Sequence, residues 1–160
     1  MASELRVDRI IPVNGVPTGG GGGVIQVVQS QITVQDQVTT ATTWTDTTLT
    51  ATITPTRSDS KILINCTCHA SNGDANQNND ARFRIVRDGT EVCKTRQRFY
   101  DYGANGGYVD TTMSMLFLDT PATTSAVTYT LQFYLATGDR VRISESGQGN
   151  SSLILMEVSG

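Results

Sequence analysis

The chain has 160 residues, the size of one domain that can bury roughly 68 to 70 per cent of its unfolded surface. A net charge of -3 and 12 scattered Lys and Arg residues argue against nucleic acid as a partner, because neutralising phosphate needs clustered cations. No run of about 18 apolar residues is present, and no basic segment with an apolar stretch behind it opens the chain. Membrane insertion and conventional export are therefore not expected.

Residues 1–18, MASELRVDRIIPVNGVPT, place Leu5, Val7, Ile10 and Ile11 between charges and are too short to fold alone. They read either as a frayed terminus or as a peptide that buries those aliphatics against a neighbouring subunit. Five glycines, Gly19 to Gly23, follow. A phosphate loop would follow a strand and lead into a helix, whereas these lead into Val24-Ile25-Gln26-Val27-Val28, a strand, so they read as a flexible hinge. Residues 24–160 are then a single β-domain.

Gln29 to Thr43 is polar and weakly patterned, with Ile32, Val34 and Val38 fitting a short edge strand. Trp44, the one tryptophan, is expected to pack at an edge or a subunit contact and not in a ligand pocket. From Trp44 to Asn65 two strands are joined by one turn. Leu49, Ala51 and Ile53 alternate with Thr48, Thr50 and Thr52, a period of two with one apolar face. Pro55 ends that strand and Arg57 to Ser60 supplies the turn. In the next strand Ile62, Ile64, Cys66, Cys68 and Ala70 share the core face.

Cys66 and Cys68 project to one side of one strand, which does not readily meet disulfide geometry, and the chain has a single histidine, His69, on the opposite face. Together with Cys93 they read as reduced thiols packing as small hydrophobes, and His69 as a passive surface or interface residue. No metal site or cofactor is expected. In Ser71 to Asp80, Asp74, Asn76 and Asn78 match the first ligand positions of a calcium loop. Asn79 and Ile85 then stand where glycine and glutamate are needed, so the stretch reads as a hairpin or end loop and a candidate contact surface.

Phe83 and Ile85 alternate with Arg82 and Arg84, and Asp88-Gly89 marks a tight hairpin turn. Lys94 to Tyr108 interleaves cations and aromatics. Arg96, Arg98, Phe99, Tyr100, Tyr102 and Tyr108 could stack on sugar rings and bond their hydroxyls, or be buried against another subunit. Met113, Met115 and Phe117 lie on one face, with Leu116 and Leu118 on the other, the pattern of a central strand. Val127, Tyr129, Leu131, Phe133 and Leu135 form an inward set, and Leu153 to Val158 a closing strand. Eight to ten short strands and no convincing helix predict an all-β, antiparallel β-sandwich or jelly roll.

The Leu-x-Ala-x-Ile-Thr-Pro run at 49–55 and Ser-Lys-Ile-Leu-Ile at 60–64 resemble a β-domain of tail fibre and appendage proteins of tailed bacteriophages, cyanobacterial phages among them. Arg-Asp-Gly-Thr-Glu-Val at 87–92, the Leu-Asp-x-Pro run reaching Tyr129, and the closing Met-Glu-Val are similar to the same family. The Leu-x-Val-Asp-x-Ile pattern near the start resembles the N-terminal segment of phage fibre proteins.

The resemblance implies a virion structural protein, assembled in the host bacterial cytoplasm and trimeric, attached to other tail or virion proteins through Leu5, Val7, Ile10 and Ile11. Its sandwich head would contact host surface glycan through Arg96, Arg98, Tyr100, Tyr102, Tyr108, Asp74, Asn76 and Asn78. The competing expectation is a capsid decoration or fibre-to-tail adaptor without receptor binding. A polysaccharide depolymerase ranks behind both: Asp101, Asp110, Asp119 and Glu145 are available, but no nucleophile or zinc-hydrolase motif occurs. No enzyme activity is expected.

Overall fold

The structure, a computed structural model, describes residues 23–32, 34–72, 78–100, 109–147 and 149–159. Segment 1–18 with Leu5, Val7, Ile10 and Ile11 lies outside these residues, as do Asp74, Asn76, Tyr102 and Tyr108. The described residues form ten strands and no helix: β1 (Val24–Gln31), β2 (Gln37–Thr39), β3 (Thr45–Ile53), β4 (Lys61–Ser71), β5 (Asn79–Arg87), β6 (Thr90–Phe99), β7 (Asp110–Asp119), β8 (Val127–Thr137), β9 (Val141–Ile143) and β10 (Ser152–Val158).

Period-two patterning becomes burial along each long strand. Leu49, Ala51 and Ile53 of β3 face inward while Thr48, Thr50 and Thr52 face out, and Val127 to Leu135 of β8 alternates in the same way. On the outer face the β-branched hydroxyls pair across strands, Thr52 with Thr128 at 2.8 Å and Thr50 with Thr130 at 3.0 Å.

All pairings are antiparallel. One sheet runs β1-β10-β4-β7, with β9 and β2 appended beside the end of β4, and the other runs β3-β8-β5-β6. With β1 against β3 and β6 against β7, the chain passes between the sheets at six of its nine connections, and the two four-strand runs have the strand order of a jelly roll. The β1–β2, β5–β6 and β9–β10 connections stay within a sheet, and of these β5–β6 is a hairpin. Asp88 (φ 47°) and Gly89 (φ 85°) both take positive φ between Arg87 and Thr90, the backbone of a two-residue type I′ turn.

The two strands flanking Pro55 to Ser60 therefore belong to different sheets, and the turn between them is a crossing over the end of the core. Ser71 to Asp80 is likewise a crossing and not a hairpin, since β4 and β5 lie in opposite sheets. The sheets enclose Leu49, Ile62, Ile64, Phe83, Ile85, Tyr129, Leu131, Phe133, Leu153 and Leu155, with Phe83 and Phe133 stacked at 6.3 Å. Each such side chain contributes about 1.5–3 kcal/mol by leaving water. Cys66 and Cys68 sit fully buried among them. Burial pushes both thiols above the ordinary range, Cys68 to about 11, so they behave as packing atoms.

Two expectations change. Among the described residues, strand β7 hydrogen-bonds β4 alone and stands at the sheet edge: Met113 and Met115 are buried, but Leu116 is 68 % exposed, Phe117 39 % and Leu118 46 %. The alternation there was read as burial on two faces, whereas it lies on a strand with one neighbour. His69 is not a surface residue either. It is 8 % exposed, because the β9 segment and Gly149 cover it.

The end of the sandwich where the chain enters is closed by two inward-facing carboxylates. Glu157 on β10, fully buried, accepts from the Thr56 N–H and hydroxyl at 2.8 Å each and from Gln26 at 2.5 Å, while the same Gln26 amide donates to the Thr54 carbonyl. Asp119 at the end of β7 accepts from Tyr129 Oη at 2.7 Å and Arg87 Nη1 at 2.5 Å, joining one sheet to the other. Burial pushes the Glu157 carboxyl up, yet the polar groups of Ser60, Gln26 and Thr56 outweigh it and hold it below its ordinary value of 4.5. A carboxyl depressed in the fold contributes stability above its unfolded pKa and loses it as pH falls through the folded value. Glu157→Gln is expected to cost about 1–3 kcal/mol at neutral pH and to flatten the acid limb of stability below about pH 4.5, measured by urea unfolding across pH.

Candidate functional site

The outer face of the β3-β8-β5-β6 sheet carries three cross-strand rows. Asp46, Gln132, Arg84 and Lys94 form the first, Tyr134, Arg82 and Arg96 the second, and Thr137, Asp80 and Arg98 the third. Residues in register share a face, so this pairing gathers four arginines and a lysine from β5 and β6 onto one surface.

Like charges directly opposite one another repel, and two carboxylates offset this. Glu91 bridges the first pair, 2.9 Å from Lys94 Nζ and 3.3 Å from Arg84 Nη1, and Lys94 above all holds its carboxyl below the ordinary range. Asp80 bridges the second. It accepts from Arg96 Nε at 2.9 Å and from Arg96 Nη2, and lies 3.4 Å from Arg82 and 3.6 Å from Arg98. Its hydrogen bonds raise the Arg96 pKa. One carboxylate, its side chain 12 % exposed, thus serves three guanidinium groups that remain 30 to 48 % exposed.

An aromatic pair stands beside these cations. Trp44, just ahead of β3, meets Tyr134 edge-on at 4.6 Å, and the Arg84 guanidinium lies 4.2 Å over the indole. Gln132 fixes that arginine by accepting from Arg84 Nε at 2.6 Å while donating to Asp46 at 2.6 Å. Trp44, Tyr134, Arg82, Arg96, Lys94 and Glu91, with Thr95, line a groove of about 560 Å³, within the usual range for small-ligand sites. Trp44 was expected away from any pocket, and here it forms a groove wall.

A smaller hollow of about 200 Å³ adjoins Asp80, lined by Asn78, Asn79, Arg98, Tyr100 and Thr137. Arg98 Nη1 donates to Tyr100 Oη at 3.0 Å, and Asn79 ties the hollow to the β8–β9 turn by accepting from the Asp139 N–H at 2.8 Å. Gly138 (φ 111°) is required there, because an added Cβ would overlap the Asn79 carboxamide.

Of the sequence-predicted contact residues, Arg96 lies in the groove, and Arg98, Tyr100 and Asn78 line the hollow next to it. Phe99 is removed from the set: it points inward and is fully buried. Trp44, Arg82, Lys94 and Tyr134 had no such assignment. Lys94 stands two residues from Arg96 on the same strand, and the fold brings Trp44, Arg82 and Tyr134 to them.

His69 lies outside this face. Its Nε2 is 3.8 Å from Asp110 Oδ1, and its Nδ1 is buried without a hydrogen-bond partner. The nearby Ser151 hydroxyl accepts from the His69 backbone N–H and from Ser144 Oγ, an arrangement that ties β4 to the segments after β9.

Asp80→Asn should leave three guanidinium groups facing one another with one charge fewer between them. The expected cost is about 1 kcal/mol at low salt, shrinking as salt screens the repulsion, and thermal unfolding at two ionic strengths measures it. No protein family matches the chain, and no curated protein is significantly similar to it.

Proposed function

We propose that this chain is a virion appendage protein of a tailed bacteriophage, anchored by its N-terminal segment and presenting the jelly-roll head to host surface glycan. The observation that carries the glycan reading is the groove in which Trp44 and Tyr134 stand beside Arg82 and Arg96. Sugar rings present apolar C–H faces to aromatic side chains and hydroxyls to directed polar groups, and this groove offers both within one cavity. The virion assignment is supported by the motif resemblance in the sequence. Purified protein at saturating dose is expected to compete with phage adsorption to host cells. Absence of competition would leave a decoration or adaptor role as the better reading.

The exposed apolar residues of β7 support assembly as a homotrimer. An edge strand with unpaired backbone and Leu116, Phe117 and Leu118 in sequence is a surface that soluble proteins cover, and here charged residues occur only at its ends. Repetition of the groove on three subunits would add avidity toward repeated glycans. Mass measurement in solution is expected to give three copies, and Leu116→Ser with Leu118→Ser is expected to shift the mass toward one. A wild-type monomer would remove the trimer.

A further inference from the structure

We infer that the Trp44–Arg82 groove takes an acidic saccharide, one that carries a carboxylate or sulfate, in preference to a neutral one. This rests on the glycan reading of the same groove. The chain as a whole is negative, with a net charge of -3, yet among the described residues this face concentrates Arg82, Arg84, Lys94, Arg96 and Arg98 around three carboxylates, Asp46, Asp80 and Glu91. Asp46 accepts from the neutral Gln132 amide and keeps its charge, so five cations exceed three carboxylates by two.

The shortfall is greatest in the row that contains the groove. Arg82 stands directly across from Arg96, and both share Asp80 with Arg98. Asp80 lies beneath them at 12 % exposure, so the guanidinium groups keep donors turned toward solvent on the groove side. Asp80 takes the Nε and Nη2 edge of Arg96, and an anion set between Arg82 and Arg96 would accept from the remaining N–H groups, Arg96 Nη1 among them, in the charge-assisted contacts that guanidinium groups make with carboxylate and sulfate oxygens. Trp44 and Tyr134, on the other side of Arg82, would carry the ring of the same residue.

A neutral sugar gives no return for bringing two guanidinium groups together. The sign of the face therefore makes a prediction about ligand charge that the aromatic pair alone does not.

The experiment is titration calorimetry of the full chain with oligogalacturonate, dextran sulfate of similar length, and neutral dextran. Binding is expected for at least one acidic probe, weakening as salt is raised from about 50 to 200 mM, with dextran at least about tenfold weaker. The two acidic probes separate carboxylate from sulfate recognition. Arg82→Gln and Trp44→Ala are each expected to weaken binding about tenfold, whereas Arg57→Gln, the same charge change on a remote exposed loop, is expected to leave it unchanged. Circular dichroism confirms that each variant is folded, and Arg82→Gln serves where Trp44→Ala is not.

Equal binding of dextran would overturn the acidic preference and leave glycan attachment standing. Equal loss in Arg57→Gln and Arg82→Gln would reduce the effect to bulk charge and overturn the site. No binding of any probe would overturn the acidic preference, and loss of adsorption competition as well would remove the glycan reading with it.

Discussion

Two buried carboxylates in one row close the jelly roll, and the connections at that end depend on them. Gln26, Glu157, Ile62 and Asp119 are in register across β1, β10, β4 and β7. Side chains in register share a face, so both acids point inward with Ile62 between them. A charge there is costly unless it is paired or hydrogen-bonded. Glu157 finds donors on the β3–β4 crossing and Asp119 on Tyr129 and Arg87 of the opposite sheet. Glu157 is thus satisfied only when the β3–β4 crossing is in place, and Asp119 only when the opposite sheet is packed against it. Tyr129 is held protonated by the same arrangement, its pKa raised first by burial and then by Asp119.

The row also gives a physical meaning to the sequence motifs. Ile-Thr-Pro at 53–55 and Ser-Lys-Ile at 60–62 flank the crossing that Glu157 holds, and Met-Glu-Val contributes Glu157 itself. The Leu-Asp-x-Pro run joins Asp119 to Tyr129 ten residues later, and the Arg-Asp-Gly-Thr hairpin begins with Arg87. Residues that stood out in the chain are the ones that lock the end of the sandwich. They are informative about architecture and silent about what the outer face binds.

The fold was legible for a related reason. Period-two burial is written locally, as in Leu49 to Ile53 and Val127 to Leu135, and the Asp88-Gly89 turn needs only two residues to be recognised. Which sheet each strand joins is a long-range property, and it is there that a crossing looked like a hairpin and edge strand β7 looked central. The groove was harder still. Its walls come from residues 44, 82, 96 and 134, and only the pairings of Tyr134 with Arg82 and of Arg82 with Arg96 assemble them. The cation–aromatic run from Lys94 to Tyr108 was the one local trace, and it included Phe99, whose place in the alternation turned it into the core.

The register also sets the groove's position relative to the chain's entry. Val24 pairs with Val158 and Val158 with Lys61, so Gly23 leads in at the end closed by Glu157 and Asp119, where Arg87 also lies. Along β5 the sheet then runs from Arg87 back to Asp80, seven residues or roughly 23 Å of strand. The Asp80 row and its hollow therefore stand at the end away from Gly23, and the Arg82 row lies next to them. A head attached through the segment before Gly23 would point this surface outward from its anchor. The direction in which β1 enters the sheet thus sets the Asp80 row, and not the Arg87 end of β5, away from Gly23.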